Sequence, residues 1–334
     1  MKHFDYAGSP HRVSLDAGAL FFVPDDTLVH AEADALGVRS AKDLFGGIVP
    51  HPFVKTKVIS HGVLAPAAAR PRGWSHAFAD RIRDVVLPGY SAFARADARA
   101  AASRLLELGA IRAKPPRAAG GNGQSTLASM AEVEALLETL TDAHLDRHGL
   151  VLELCLQPVT TLSVGHVALD DTTIAYYGHQ RLTRDNSGHM VYGGSDLTCV
   201  RGGWETLEGL ALESDVRTAI RQARVYDEAT LEYGVAASRR NYDVGQGLDS
   251  AGRRRSGVFE ASWRVGGASA AEVAALEAFA RDPSIALVDA STVEAYGADV
   301  ALPPGAIVHF HGVDRDAGAL ARYSLVRETP RRRA

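Results

Sequence analysis

Two carboxylates in the second half of the chain, Asp243 and Glu260, lie in the stretch NYDVGQGLDSAGRRRSGVFEASWRVGG, which reads as two strands flanking an LDSAG turn. A turn centred between Ser250 and Ala251 sets Asn241 opposite Glu260 and Asp243 opposite Val258. Side chains alternate along a strand, so Asn241, Asp243, Glu260, Ser262 and Arg264 then share one face. In that register Asp243 and Glu260 are diagonal neighbours, roughly 7–8 Å apart along the backbone. The spacing suits Mg²⁺, which takes one or two protein carboxylates and fills its remaining sites with phosphate oxygens and water. The same pattern is also what a solvated hairpin offers, with Glu260 paired to Arg264 or to one of Arg253 to Arg255.

A second group of residues suits the phosphates. Gly120, Gly121, Asn122, Gly123 and Gln124 form a loop small enough for backbone N–H groups to approach phosphate oxygens, and Lys114 stands just before it with a point charge. No lysine follows the last glycine and no G-x-G-x-x-G opens the next helix, so neither a P-loop nor a Rossmann site is indicated. Taken alone, such a loop is more often a surface turn beside a solvated lysine.

Elements must position these groups. Apolar residues recur with helical spacing from Asp97, a candidate cap, to Leu108, and Gly109 stands at the expected left-handed ending. AIRAK follows as a short strand carrying Lys114, then the glycine loop. A helix begins near Ser129, whose spacing to Glu132 makes a capping box. LVLELCLQ, Leu150 to Gln157, reads as a buried strand, followed by a hairpin of Ser163–Leu169 and Thr173–Leu182 around Asp170-Asp171. A helix is expected over Ser214 to Thr230, and another from a Ser269/Glu272 capping box through Ala274, Leu276 and Phe279. Short apolar runs from Ile285 onward complete a sheet. Before Leu87 the pattern is that of a small α/β lobe, with an apolar run at Ala19–Val23, a helix near His30–Leu36 and strands around Ile48 and Val58. The stretch Ala65–Gly73 reads as a connection and Pro88-Gly89 as a turn.

Composition narrows the function. With 334 residues and 46% hydrophobic content, the chain can build two or three packed subdomains. A net charge of −4 gives no general drive toward nucleic acid or an anionic membrane, which leaves small-molecule partners. Cys155 and Cys199 are too few for a disulfide framework and read as core thiols. The start, MKHFDYAGSPHRVSLDAG, lacks the apolar core of a signal peptide, and no run reaches the roughly 18 apolar residues of a membrane span, so a cytoplasmic setting is expected. Lysines stand only at positions 2, 42, 55, 57 and 114. His51, His61, His76, His166, His179 and His189 are scattered without zinc-ligand spacing. Arg181, Arg184, Asp185 and Ser187–His189 form either a substrate-facing loop or plain surface, and Ser238-Arg239-Arg240 either a carboxylate grip or exposed charge. No G-x-S-x-G elbow occurs.

The order of these features, a strand lysine with a glycine loop, an acidic strand, an aspartate strand, then E-x-x-x-R and Gly-Gly, resembles the ATP-grasp superfamily over about Pro88 to Ala280. The chain as a whole looks like a bacterial branch of it without an assigned substrate. The resemblance implies an α/β chain built of α+β lobes in three parts: residues 1–87 as a small N-terminal α/β domain, 88–152 as a first lobe and 153–334 as a second lobe with the metal hairpin. It implies ATP and Mg²⁺ held between the lobes. Lys114 would contact phosphate under the loop Gly120, Gly121, Asn122, Gly123, Gln124; Glu153, with Leu154 and Leu156, would be the hinge meeting adenine; and Gln157 would lie near the ribose. Asp243, Glu260 and Ser262 would hold metal, and Arg264 with Arg240 would hold phosphate or an acyl intermediate. Ser262 stands where the family commonly has asparagine, and Trp263 is atypical; Asn241 supplying the amide is one remedy. A second phosphate lysine is usual, for which Lys55 and Lys57 are the candidates. The activity implied is an ATP-dependent ligase joining a carboxylate to an amine or thiol nucleophile. A nucleotide-binding regulatory protein without turnover and a small-molecule kinase are the alternatives, and a homodimer is compatible with the sequence.

Overall fold

The structure is a computed structural model that describes residues 20–117 and 123–330. Gly120, Gly121 and Asn122 of the glycine loop lie outside the described residues.

The chain begins with strand β1 (Leu28–Val29), helix α1 (His30–Leu36), strand β2 (Gly47–Val49) and helix α2 (His76–Ile82). Residues Lys57–Ser60, expected as a strand, instead form a short 3₁₀ turn. That turn keeps Lys57, Val58, Ile59 and Ser60 buried.

Next come β3 (Gly89–Ala92), α3 (Arg95–Leu106), β4 (Ile111–Lys114), β5 (Ser125–Leu127), α4 (Met130–Glu138), α5 (Asp142–His148) and β6 (Leu150–Leu154). The four strands make an antiparallel sheet in the order β3-β6-β4-β5. Helices α3 and α4 close one core with it through Ala98, Ala102, Leu105, Val133 and Leu137. Asp97 does not cap α3, whose N-cap is Ala94; its carboxylate accepts the Ala69 N–H at 3.0 Å and ties down the preceding connection. Ser129 does cap α4, accepting from the Glu132 N–H, while the Glu132 side chain reaches Ala128.

The remainder is β7 (Val159–Leu169), β8 (Thr172–Arg184), β9 (Met190–Arg201), α6 (Trp204–Glu208), α7 (Ser214–Glu232), β10 (Ala236–Ala237), β11 (Arg239–Leu248), β12 (Arg254–Ser262), α8 (Ser269–Arg281), β13 (Ile285–Tyr296), β14 (Ile307–Asp314) and β15 (Gly318–Pro330). Eight of these strands form an antiparallel sheet ordered β12-β11-β7-β8-β9-β13-β15-β14. β10 leaves that group and pairs with β2, completing a three-stranded sheet β1-β2-β10.

The period of two decides what the large sheet does with its faces. Leu162, Val164, Ala175, Tyr242, Val244 and Val258 point to one side and pack on α7 through Ile220, Ala223 and Tyr226. Val167, Ile174, Tyr176, Cys199 and Val288 point to the other and pack on α8 through Ala271, Ala275 and Phe279. Beyond the end of α8 that second face carries polar side chains instead, Ser163, Gln180, Asp243 and Glu260, and there the candidate site lies.

Candidate functional site

Lys114 is the last residue of β4 and is buried. Its Nζ lies 2.5 Å from Oε1 of Glu153, on the neighbouring strand β6, and 4.3 Å from the centre of the Phe259 ring. A lysine this deep needs a counter-charge, and Glu153 supplies it. Glu153 also accepts a hydrogen bond from His61 Nε2 at 3.0 Å. Burial opposes ionisation of Glu153, but Lys114 and His61 outweigh it and hold the carboxyl below its usual range.

The hairpin of β11 and β12 supplies the floor. Its turn is centred on Ala251 rather than between Ser250 and Ala251, since Leu248 pairs with Arg254 and Val244 with Val258. Alone, that shift would carry Glu260 to the α7 side. A bulge at Phe259 restores it, so Asp243 pairs directly with Glu260 and Asn241 with Ser262. The two carboxylates are therefore opposed, not diagonal, and closer than the sequence register predicts. The bulge also lets two consecutive residues, Phe259 and Glu260, line the same cleft, which a regular strand forbids.

Gly245 makes room for Phe259: a Cβ there would fall 1.8 Å from the ring. Gly245→Ala must push that ring from beneath Lys114. The expected result is a loss of stability of about 1–3 kcal/mol, read by urea unfolding; an unchanged midpoint would mean the ring has free space to move into.

Asp243 Oδ1 accepts from Gln180 Nε2 at 2.9 Å, from Asn241 Nδ2 at 3.0 Å and from the Ser163 hydroxyl at 3.4 Å. Burial and the like charge of Glu260 nevertheless raise its carboxyl to about 6. A divalent cation between the two carboxylates would relieve that repulsion, so the pair fits Mg²⁺. Among the described residues no group of three or more His, Cys, Asp and Glu is placed to hold a metal, so substrate oxygens and water would have to complete the coordination.

Glu260 receives Lys57 Nζ at 2.5 Å, and Lys57 is 8% exposed. Lys55 turns away, to Asp26 at 3.0 Å and the Thr27 carbonyl at 2.8 Å. Of the two lysines, it is Lys57 that the fold brings to the carboxylates.

Two clefts meet at Glu260. One, of about 260 Å³, has Lys114, Glu153, Leu154, Leu156, Gln180, Asp243 and Phe259 on its walls, with Gln124 from the end of the glycine loop. The other, of about 270 Å³, is lined by Lys57, Arg117, Ser262, Arg264 and the acidic pair Asp25 and Asp26. Arg264 donates to the Val265 carbonyl at 2.8 Å and forms no ion pair among the described residues. Gly123 has a left-handed φ of 67°, and a Cβ there would lie 3.2 Å from the Pro115 ring.

Several expected roles do not fit the geometry. Arg240 points to the α7 side, opposite Asp243, where its guanidinium lies 3.2 Å from buried Asp227 and also donates to the Val235 carbonyl. Its neighbour Arg239 is the one on the cleft side. It grips Glu272 through Nε at 2.9 Å and Nη2 at 2.8 Å, and its Nη1 donates to the Ser262 hydroxyl at 3.2 Å and the Arg264 carbonyl at 2.7 Å. The Ser262 oxygen thus already faces a cation, which argues against a metal there. Glu272 is not the end of a capping box; it is fully buried on Arg239 and accepts from Tyr176 at 2.5 Å. The Tyr176 oxygen also lies 3.0 Å from Asn241 Oδ1, while Asn241 Nδ2 donates to Asp243, so the Asn241 amide is held between two neighbours and is not free to replace the missing ligand. Gln157 is exposed and absent from the cleft wall, where Thr161 stands instead.

Sequence reading missed Gln180, Phe259 and the partners of Arg239, Glu272 and Tyr176, although Ser238-Arg239-Arg240 reads as a candidate carboxylate grip. For Gln180 a signal existed: it shares the parity of Tyr176 in a recognised hairpin, so it had to face the same side.

A profile of the family described as "Protein of unknown function (DUF3182)" matches residues 1–324. No curated protein matches the sequence. Among solved structures the chain is similar to the biotin carboxylase domain of 2-oxoglutarate carboxylase from Hydrogenobacter thermophilus, in complex with MgADP, ADP and bicarbonate, at 14% identity and a TM-score of 0.51 over 86% of this chain and 65% of that one. It is also similar to N5-carboxyaminoimidazole synthetase from Staphylococcus aureus complexed with ADP, at 12% identity and 0.46 over 74% and 65%. Phosphoribosylamine–glycine ligase from Thermotoga maritima matches at 14% identity and 0.46 over 92% and 79%. The match thus spans just under two thirds of the length of the first two. No helix among the described residues is long and apolar enough to cross a membrane.

Proposed function

Because the chain belongs to the DUF3182 family and has the ATP-grasp fold, we propose that it is an ATP-dependent ligase that activates a substrate carboxylate as an acyl phosphate for attack by an amine or thiol. The observation that carries this reading is the pair of clefts sharing Glu260, one walled by a buried lysine and carboxylates, the other by Lys57 on Glu260 together with Arg117 and Arg264, which form no ion pair among the described residues. A fold of this kind hosts several chemistries, so the reaction rests on the site.

In this reading ATP lies in the first cleft, with adenine against Leu154 and Leu156 beyond Glu153, and its phosphates under the loop Gly120, Gly121, Asn122, Gly123, Gln124. Lys114 and Lys57 set positive charge on either side of the phosphates. Asp243 and Glu260 hold Mg²⁺, which when bound neutralises phosphate oxygens and orients the terminal group. Arg264, at the edge of the second cleft, receives the acceptor carboxylate and steadies its phosphorylated form; Arg117 and the loop exclude water over it. The division into residues 1–87, 88–152 and 153–334 belongs to the same proposal, with β10 tying the last part back to the first, and so does action in the cytoplasm.

A nucleotide-binding protein without turnover is the second reading, favoured by one observation: the Ser262 hydroxyl is engaged by Arg239, leaving two protein ligands for metal. Calorimetry with ATP, with and without Mg²⁺, followed by an ADP-release assay against pooled carboxylic acids and amines, tests both. Magnesium-dependent binding with acceptor-dependent ADP release and a ligated product supports the ligase. Binding without ADP release from any pool supports the second reading, a phosphorylated but unligated product marks a kinase, and no nucleotide binding defeats all three.

A further inference from the structure

A cavity of about 410 Å³, larger than either cleft at Glu260, lies behind Glu153, among α2, β3, α3 and the segment His61–Leu64. Its walls combine Leu64, Ala79, Leu87 and Leu105 with the charged side chains Asp80 and Arg83, which pair with each other, and Arg104. Arg104 is exposed and makes no ion pair among the described residues.

One wall is His61, which is 2% exposed. Its Nε2 faces the Glu153 carboxylate at 3.0 Å, and a carboxylate only accepts, so Nε2 carries the hydrogen. Nδ1 is buried with no hydrogen-bond partner. Such an atom costs stability unless something meets it. The ring packs directly on Gly89, where a Cβ would come within 2.6–2.8 Å of three ring atoms, so only glycine lets the imidazole sit here.

We infer that this cavity is a second ligand site, for a small and largely apolar molecule that gives a hydrogen-bond donor to His61 Nδ1 and an anionic group to Arg104. The apolar wall supplies affinity, and the two polar groups fix orientation. His61 and Lys114 hold the two oxygens of one carboxylate, Glu153. A ligand that draws His61 toward itself alters the hold of Glu153 on Lys114, which links this cavity to the first cleft. The link rests on the nucleotide reading above; the site does not.

The probe is anilinonaphthalene sulfonate, which carries an apolar body, an N–H donor and an anion. It is titrated by fluorescence and calorimetry into the full chain and into Arg104→Leu and Ala79→Leu variants, with the nitrogen chemical shift of His61 Nδ1 followed by NMR. Arg104→Leu changes an exposed residue and leaves folding intact. The expected result is one site per chain, weakened about tenfold by each substitution, the loss of one charged contact or of the cavity volume being worth about a factor of ten, with a shift of His61 Nδ1 on saturation. Absence of a stoichiometric site, or binding indifferent to both variants and to His61, overturns the inference. Mg-ATP should then change the probe's Kd by about fivefold and no further as ATP is raised, as coupled sites do. An unlimited, competitive rise would place the probe in the nucleotide cleft and overturn the site as well. If ATP does not bind at all, only the link falls, and the variant and NMR results still decide the site.

Discussion

Replacing Glu260 by glutamine will abolish the magnesium dependence of ATP binding and lower any turnover by a factor of about 100 or more, the usual scale for losing one preorganised charge at a reacting phosphate. The substitution removes a carboxylate that lines both clefts, opposes Asp243 in the ladder and receives Lys57. It is a cleaner test than Lys114→Ala. Glutamine keeps an oxygen beside buried Lys57 and the Glu260 side chain is itself 24% exposed, whereas removing Lys114 strands a fully buried Glu153 on His61 alone. Calorimetry with and without Mg²⁺, beside an unfolding curve for each variant, separates site from scaffold. Retained magnesium dependence in a folded Glu260→Gln protein would sink the metal assignment.

The partner carboxylate adds a pH signature. Asp243 is raised to about 6 by burial and by Glu260, so the folded protein binds a proton there that the unfolded chain releases at lower pH. Between the ordinary aspartate range and about 6, stability from this group therefore falls as pH rises. Asp243→Asn should stabilise the ligand-free protein at neutral pH by about 1–3 kcal/mol while removing metal binding, since one pKa unit is about 1.4 kcal/mol. Metal binding in the wild type should strengthen as pH climbs through about 6.

Asp227→Ala should have the largest effect on stability, a loss of about 3–5 kcal/mol, because it leaves Arg240 buried without its counter-charge. Asp227, on α7, collects Arg240 at 3.2 Å, the Tyr242 hydroxyl at 2.6 Å, Trp204 Nε1 at 3.0 Å and His166 Nε2 at 3.3 Å. Burial works against its charge, but His166, Arg240 and Tyr242 prevail and hold the carboxyl at about 2. A depressed acid stabilises the fold above its unfolded pKa, and that contribution disappears as pH falls toward 2, the opposite slope to Asp243. Urea titrations from pH 7 down to pH 3 on wild type and both aspartate variants resolve the two. If Asp227→Ala leaves the midpoint within about 0.5 kcal/mol, the ordinary range of surface changes, the hub is not holding α7 to the sheet. Arg240→Ala should behave likewise and leave nucleotide affinity intact wherever it remains folded.

Much of the site was legible because strand periodicity is local. Asn241 and Asp243 share a face, as alternation requires, the bulge brings Glu260 to the same face, and Lys114 ends a strand beside the carboxylate of Glu153. The same alternation, carried two residues upstream, selects Arg239 over Arg240 for that face. What remained hidden depended on distant partners. Ser269 and Glu272 have capping-box spacing, but the Arg239 guanidinium, far away in sequence, competes better for Glu272 than a helix N-terminus does. Lys57 reaches Glu260 only because a buried 3₁₀ turn replaces the expected strand, and no spacing in the sequence reports that approach. The strand order of the large sheet, in which β13 and β15 follow β9, is likewise set by packing on α8. The bulge was invisible for a simpler reason: Phe259 is an ordinary strand residue, and only the small Gly245 on the neighbouring strand, on which its ring lies, hints at it.

That bulge makes the hairpin sensitive to length in an uneven way. Deleting Phe259 would straighten β12 yet still leave Glu260 opposite Asp243, because the ladder from Val244 and Val258 then continues without interruption. An insertion or deletion elsewhere in the strand, between Arg254 and Val258, would instead turn Glu260 toward α7. One residue can therefore be gained or lost at a single point with the carboxylate pair intact and only the aromatic cushion of Lys114 exchanged, so this hairpin has one hereditary joint at which the site can be retuned without being dismantled.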